Sequence, residues 1–167
     1  MLELQLLTGM RSGELVIMRP CDIDTSGNIW IYTPASHKTQ HHGHKRQILL
    51  GPRCQEITRP FLLKKTDAYC FTPQDADIKY NAKRDRYSTK IYYHAVQCAI
   101  KRANKRGNLS IPKFTPHQLR HTAATRIRKE FGLDAARAVL GHRTLNMTNE
   151  YAEIDKMLAE KVLKKLG

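Results

Sequence analysis

Apolar positions in this chain recur mostly at helical spacing, in short runs separated by Gly, Pro and polar clusters. Met1 to Thr8 is an apolar run that stops at Gly9, which predicts the end of a helix with a glycine C-terminal stop. A second short helix is predicted over Ser12 to Met18, ended by Pro20. Asn28 to Thr33 is rich in strand formers, and a second apolar run, Arg46-Gln47-Ile48-Leu49-Leu50, follows a polar stretch from Pro34 to Lys45. Together they predict a hairpin with a long His-rich loop. Pro52 suits the first turn of a helix to about Leu63, kinked or shortened by Pro60. Asp75 to Arg86 lacks a period and reads as a loop.

Helices dominate the remainder. Ser88 can cap a helix from about Thr89 to Asn104 whose stripe is Ile91, Ala95, Cys98, Ala99 and Arg102, closed by Gly107. Thr115-Pro116 is an N-cap followed by Pro at the first helical position, opening a helix to about Lys129. Shorter helices are predicted over Leu133 to Leu140, stopped by Gly141, over Thr144 to Tyr151, and from Glu153 to about Lys165. The last has an apolar stripe of Ile154, Met157, Leu158, Val162 and Leu166. It packs either on its own core or on a neighbouring copy. The fold class expected is mainly α with a small antiparallel β-sheet (α+β), in one domain spanning residues 1–167.

Composition narrows the function. The 167 residues carry a formal charge of +14, and from Lys79 to Lys129 fourteen basic residues face a single acid, Asp85. Nearly all of the excess charge therefore lies in one stretch. A polyanion is the expected partner, because each Lys or Arg set against a phosphate releases a condensed counterion. The candidate DNA contacts are Lys83, Arg84, Arg86, Lys90, Lys101, Arg102, Lys105, Arg106 and Lys113. A merely solvated basic face would not need such segregation. A membrane surface is disfavoured because no segment interleaves Lys and Arg with large apolar residues along one moment, and no apolar run approaches a span. The start lacks a secretory signal, which points to the cytosol, with nucleoid association for a DNA-acting protein. Cys21, Cys54, Cys70 and Cys98 form no CxxC pair, so neither a zinc ribbon nor a disulfide framework is expected. His37, His41, His42 and His44 lack an accompanying Cys or carboxylate set, so no metal site is assigned.

Candidate chemistry lies at six positions. His117 and Arg120 are three residues apart on one helix face, so both can reach one phosphate. Leu140-Gly141-His142 follows, and nine residues later stands Tyr151. Upstream, Thr8-Gly9-Met10-Arg11-Ser12-Gly13-Glu14-Leu15 sets an arginine at a helix corner with a carboxylate three residues on, and His37-Lys38-Thr39 lies in the hairpin loop. The ordered set Arg11, Lys38, His117, Arg120, His142 and Tyr151, with the local runs TGMRSGEL, HQLRHTAAT and LGH, resembles the catalytic domain of the tyrosine recombinases, the phage-integrase family. The resemblance spans Leu7 to Tyr151.

The physical requirements agree. Breaking a phosphodiester without a metal needs a nucleophile, a proton donor for the leaving 5′-oxygen, and cations for the non-bridging oxygens. Arg11 and Arg120 would form a forked guanidinium clamp. Tyr151 would attack and form a 3′-phosphotyrosyl link, with no cofactor. The resemblance implies Lys38 as general acid, preferred over Lys45 in the same loop, His117 as a proton-handling or positioning group, and His142 as a hydrogen-bond donor to the phosphate. It also implies Glu14 as a carboxylate orienting Arg11 or His117. His121 is left to helix surface or packing.

The family usually carries an N-terminal helical domain that completes a clamp around DNA, and nothing in this chain corresponds to it. By the same resemblance the family's first catalytic-domain helices are expected upstream of Met1, and the chain reads as the downstream part of a longer ancestral protein. Two rivals stand beside a DNA strand transferase working in recombination or integration: a non-catalytic DNA-binding remnant, and a type IB topoisomerase-like activity. Partners expected are double-stranded DNA and further copies of the chain, the latter through the C-terminal tail.

Overall fold

A computed structural model describes residues 1–35, 46–75, 84–141 and 149–166, the last stretch with side chains from Met157 onward. Helix α1 (Leu2–Thr8) ends where Gly9 turns left-handed at φ 63°, as its composition predicts. Helix α2 (Ser12–Val16) is shorter than expected, because Ile17 leaves the helical region before Pro20 is reached. Pro20 instead opens a single 3₁₀ turn, Pro20–Asp22.

The sheet has three antiparallel strands in the order β1 (Ile23–Asp24), β2 (Trp30–Tyr32) and β3 (Ile48–Leu50). Strand β1 is an addition to the expected hairpin, pairing Ile23 with Tyr32 and Asp24 with Ile31. In the hairpin pair, Trp30 faces Leu50, Ile31 faces Leu49 and Tyr32 faces Ile48. Period two then sends these residues to opposite faces. Trp30, Tyr32, Ile48 and Leu50 join Leu4, Leu7, Met10 and Leu15 in one core, while Leu49 and Ile29 join Ile127, Val139 and Val162 in a second. The sheet is thus covered on both sides at β2 and β3, which are apolar on both faces, while Asp24 of β1 is exposed.

Helix α3 (Pro52–Thr58) passes into a 3₁₀ segment, Arg59–Leu63, at Pro60 as expected. Helix α4 (Thr89–Gly107) starts at Ser88, whose hydroxyl accepts from the Ile91 N–H. It runs through Gly107, and Asn108 takes the left-handed cap at φ 47°, a conformation that Asn tolerates. Its fully buried positions are Tyr92, Val96 and Ile100; the predicted Ile91 and Ala95 pack half-buried against the same core, whereas Ala99 and Arg102 are exposed. The larger side chains win the buried face because they bury more apolar area.

Helix α5 (Pro116–Phe131) opens with the predicted cap, completed by a reciprocal bond from the Thr115 N–H to Gln118. Helix α6 (Leu133–Leu140) ends at Gly141, with φ 66°. Helix α7 (Asn149–Leu166) is continuous where two helices were predicted. Between those residues no Gly or Pro interrupts it. Its buried positions are Ala159, Val162 and Leu163, packed with Ile127, Ala135 and Val139 of the same chain. Met157, predicted on the apolar stripe, is 72% exposed. The tail therefore docks on its own core.

Candidate active site

The site is built where α1, α2, α5 and α6 meet. Gly9 ends α1 by turning left-handed, and Arg11 then caps α2 in extended geometry. The Arg11 backbone N–H donates to Glu14 Oε2 at 2.6 Å, and its guanidinium donates to Glu14 Oε1 at 3.0 Å. Glu14 thus holds Arg11 at both its backbone and its guanidinium end. The corner is fixed from behind by Gln5, whose amide donates to the Met10 carbonyl at 3.2 Å and to Ser12 Oγ at 3.3 Å. The Tyr92 hydroxyl donates to Gln5 Oε1 at 2.8 Å, joining α4 to the same network. Tyr32, from β2, donates its hydroxyl to the Glu14 carbonyl at 2.6 Å. These bonds satisfy polar groups that are buried and otherwise costly.

Arg120 reaches the corner from α5. Its guanidinium donates to the carbonyl of Gly9 and to the carbonyl of Leu140 at 3.0 Å. It therefore ties the end of α1 to the end of α6. Burial pushes the Arg120 guanidinium down to about 10, with Arg11 and Arg46 adding to the fall and Glu14 opposing it. His117 stands one turn before Arg120 on α5 and is exposed, its ring edge-on to that of His121 at 4.7 Å. His121 is accordingly a ring contact of a candidate site residue.

Arg46 is the site residue that sequence reasoning missed. It enters from the foot of β3, with Nε 3.5 Å from Glu14 Oε1 and Nη2 donating to the Val139 carbonyl at 3.4 Å. Burial lowers its guanidinium, Glu14 opposes that, and Arg11 adds to it. A signal was present: at period two Arg46 shares the face of Ile48 and Leu50, and a cation on a core face demands a carboxylate. Among the described residues, Arg11 and Arg46 share the Glu14 carboxylate and Arg120 lies within its electrostatic reach, so cations outnumber carboxylates there. Such a cluster attracts an anion, and forked donors suit a phosphate.

The chain matches the phage integrase family over residues 1–157. It belongs to that family. Tyrosine recombinase XerC of Haemophilus ducreyi is 27% identical over 157 residues, covering 93% of this chain and 47% of the relative. XerC of Bifidobacterium longum subsp. infantis is 29% identical over 163 residues, covering 92% and 42%. The chain spans about half the length of the curated relatives it matches. Among solved structures, the Tn1549 transposon integrase in complex with circular intermediate DNA superposes with a TM-score of 0.64 at 20% identity, over 93% of this chain and 58% of that one. The XerH site-specific recombinase bound to difH, in a pre-cleavage complex, gives 0.58 at 21% identity, over 93% and 41%. The shared fold is that of the phage integrase catalytic region.

For this phage integrase member, the described residues bring Arg11, Glu14 and Arg120 into one cluster and put His117 on the same helix as Arg120. Lys38 and His142 lie outside the described residues, as does Lys83. Tyr151 falls within α7, in the stretch without described side chains. Arg84, Arg86, Lys90, Lys101, Arg102, Lys105, Arg106 and Lys113 are all exposed. At 100° per residue, Lys90, Lys101 and Lys105 fall within about 60° on α4, with Arg102 and Arg106 round the flank. Arg84 and Arg86 line a groove with Gly13 and Ser88, which links the start of α4 to the corner that carries Arg11.

Proposed function

We propose that this chain, over residues 1–167, is the catalytic domain of a tyrosine-type site-specific DNA recombinase, cutting and rejoining double-stranded DNA through a 3′-phosphotyrosine. The observation that carries the reading is the convergence of Arg11 and Arg120, from opposite ends of the sequence, around Glu14. In the reaction the Tyr151 phenolic oxygen attacks phosphorus and gives up its proton to His117. The bond from phosphorus to the 5′-oxygen breaks, and that oxygen takes a proton from Lys38. Charge gathering on the non-bridging oxygens is met by Arg11 and Arg120, with His142 as a further donor and His117 managing protons. One ester replaces another, so a 5′-hydroxyl from a second strand reverses the step without a cofactor.

The exposed cations of Arg84, Arg86 and α4, with Lys83 and Lys113, would run along the phosphate backbone, positioning the duplex without reading its bases. Exchange between two duplexes requires four cuts, hence four copies of the active site on DNA, in the cytoplasm at the nucleoid. Because Val162 and Leu163 are buried on their own chain, a tail contact between copies uses another face of α7 or an exchange of the helix.

Nicked duplexes that release a cleaved fragment test this, drawn from DNA flanking the gene and from random sequence. A covalent protein–DNA band on denaturing gels with wild type, lost in Tyr151→Phe, is the expected result. DNA binding without any adduct, also after joining an N-terminal DNA-clamping domain, would leave a non-catalytic binding module. Relaxation of supercoiled plasmid without exchange would leave a topoisomerase.

A further inference from the structure

We propose that Arg46 is a positioning residue of the phosphate clamp, acting through Glu14 and through the carboxyl end of α6. This deepens the reading above and rests on it. Glu14 Oε1 lies 3.0 Å from Arg11 Nη1 and 3.5 Å from Arg46 Nε, so one carboxylate oxygen is shared between two guanidiniums. The two arginines are not equivalent. Arg11 keeps 31% of its side chain exposed, whereas Arg46 keeps 8%. Arg11 is thus the cation that meets a ligand, and Arg46 is the one that stays behind.

Its other contacts explain why it stays. Arg46 Nη2 bonds the Val139 carbonyl at 3.4 Å, one residue from the Leu140 carbonyl that accepts from Arg120. Gly141 lies directly against the same guanidinium, where an added Cβ would clash with Arg46 Nη1. Gly141 therefore does more than end α6, since a side chain there would displace the Arg46 guanidinium from its place. One buried fork thereby touches the carboxylate that aims Arg11 and the carbonyl-bearing turn that anchors Arg120. It fixes the distance between the two halves of the clamp. A lysine at this position keeps the charge but loses the planar geometry that spans both.

The probe is inorganic phosphate, with affinity read from the rise in thermal midpoint of the whole chain as phosphate is added. Wild type, Arg46→Gln, Arg46→Lys, Glu14→Gln and the Arg46→Gln/Glu14→Gln pair are compared, with Arg11→Met as the control for the clamp itself. Arg46→Gln is expected to weaken phosphate binding roughly tenfold, with Arg46→Lys intermediate. In the Glu14→Gln background the same change should cost clearly less than tenfold, because its route to Arg11 is gone and only the route through α6 remains. A loss of stability alone would not produce that non-additivity. Arg46→Lys retains the cation and most of the volume, and serves if Arg46→Gln does not fold. Wild-type phosphate affinity in a folded Arg46 variant, or fully additive losses, overturns the inference while leaving the clamp intact. Phosphate affinity unaffected by Arg11→Met overturns the clamp reading, and this inference with it.

Discussion

Arg120 donates to the carbonyl of Gly9, a bond between residues 111 positions apart that closes α1 onto α5. Gly9 is the last residue before the corner that carries Arg11. The bond therefore locates Arg120 against the backbone that leads into Arg11. The same contact brings the two guanidiniums close enough for Arg11 to depress Arg120, and Glu14 is the only carboxylate to which Arg11 or Arg46 is ion-paired among the described residues.

Removing that carboxylate should be costly. Glu14→Gln keeps the side-chain shape but removes the carboxylate charge that faces Arg11 and Arg46, and breaking such a pair costs about 3 kcal/mol. Thermal unfolding should show a midpoint roughly 6–12 °C below wild type. Sulfate should restore more of the loss in Glu14→Gln than it adds to wild type, because an anion then supplies the missing charge. Equal sulfate effects in the two proteins would refute a charge-compensating role for Glu14.

The two glycines flanking Arg11 should respond in opposite directions. Gly9 sits at φ 63°, and an added Cβ would clash with Leu140 Cδ2. Gly9→Ala combines left-handed strain with overpacking and should destabilise by about 2–4 kcal/mol in urea unfolding. Gly13, inside α2, has nothing within 4 Å of the added Cβ. Gly13→Ala should stabilise by about 0.4–1 kcal/mol, because alanine loses less backbone freedom on folding.

Basic residues on α4 are expected to act through counterion release. Lys101→Ala and Lys105→Ala, both exposed, should each lower the slope of log affinity against log salt by about 0.9 on duplex DNA. Filter binding over a salt series measures it. Slopes equal to wild type would remove α4 from the DNA path.

The tail gives a paired test of cis docking. Leu163 is 2% exposed and Met157 is 72% exposed, although both are large apolar residues of α7. Leu163→Ala should cost about 3 kcal/mol, while Met157→Ala should stay within about 0.5 kcal/mol. Unfolding of dilute monomer distinguishes them, since a helix that docked only on a neighbouring copy would make Leu163→Ala silent under those conditions.

Much of this molecule was legible from local chemistry. Caps such as Ser88 and Thr115-Pro116, and stops such as Gly9 and Gly141, act within a few residues of themselves, so the sequence marks helix ends directly. Order and spacing of Arg11, His117 and Arg120 likewise lie in one dimension, and the resemblance they carry was readable there. Where local signals were weak, tertiary packing decided. The α4 stripe is centred on Tyr92, Val96 and Ile100, since burial rewards size rather than nominal period. Strand β1 is two residues long and exists only because β2 offers it an edge. The tail's choice of its own core, with Ala159 and Leu163 inward, depends on a surface made by α6 and β3. Arg46 shows the division most clearly. The sequence by itself determined that an arginine sits on the core-facing side of a strand, but not that Glu14 and Val139 would be waiting there. Those partners come from segments far apart in the chain, and only the closed fold brings a buried charge to its counter-charge.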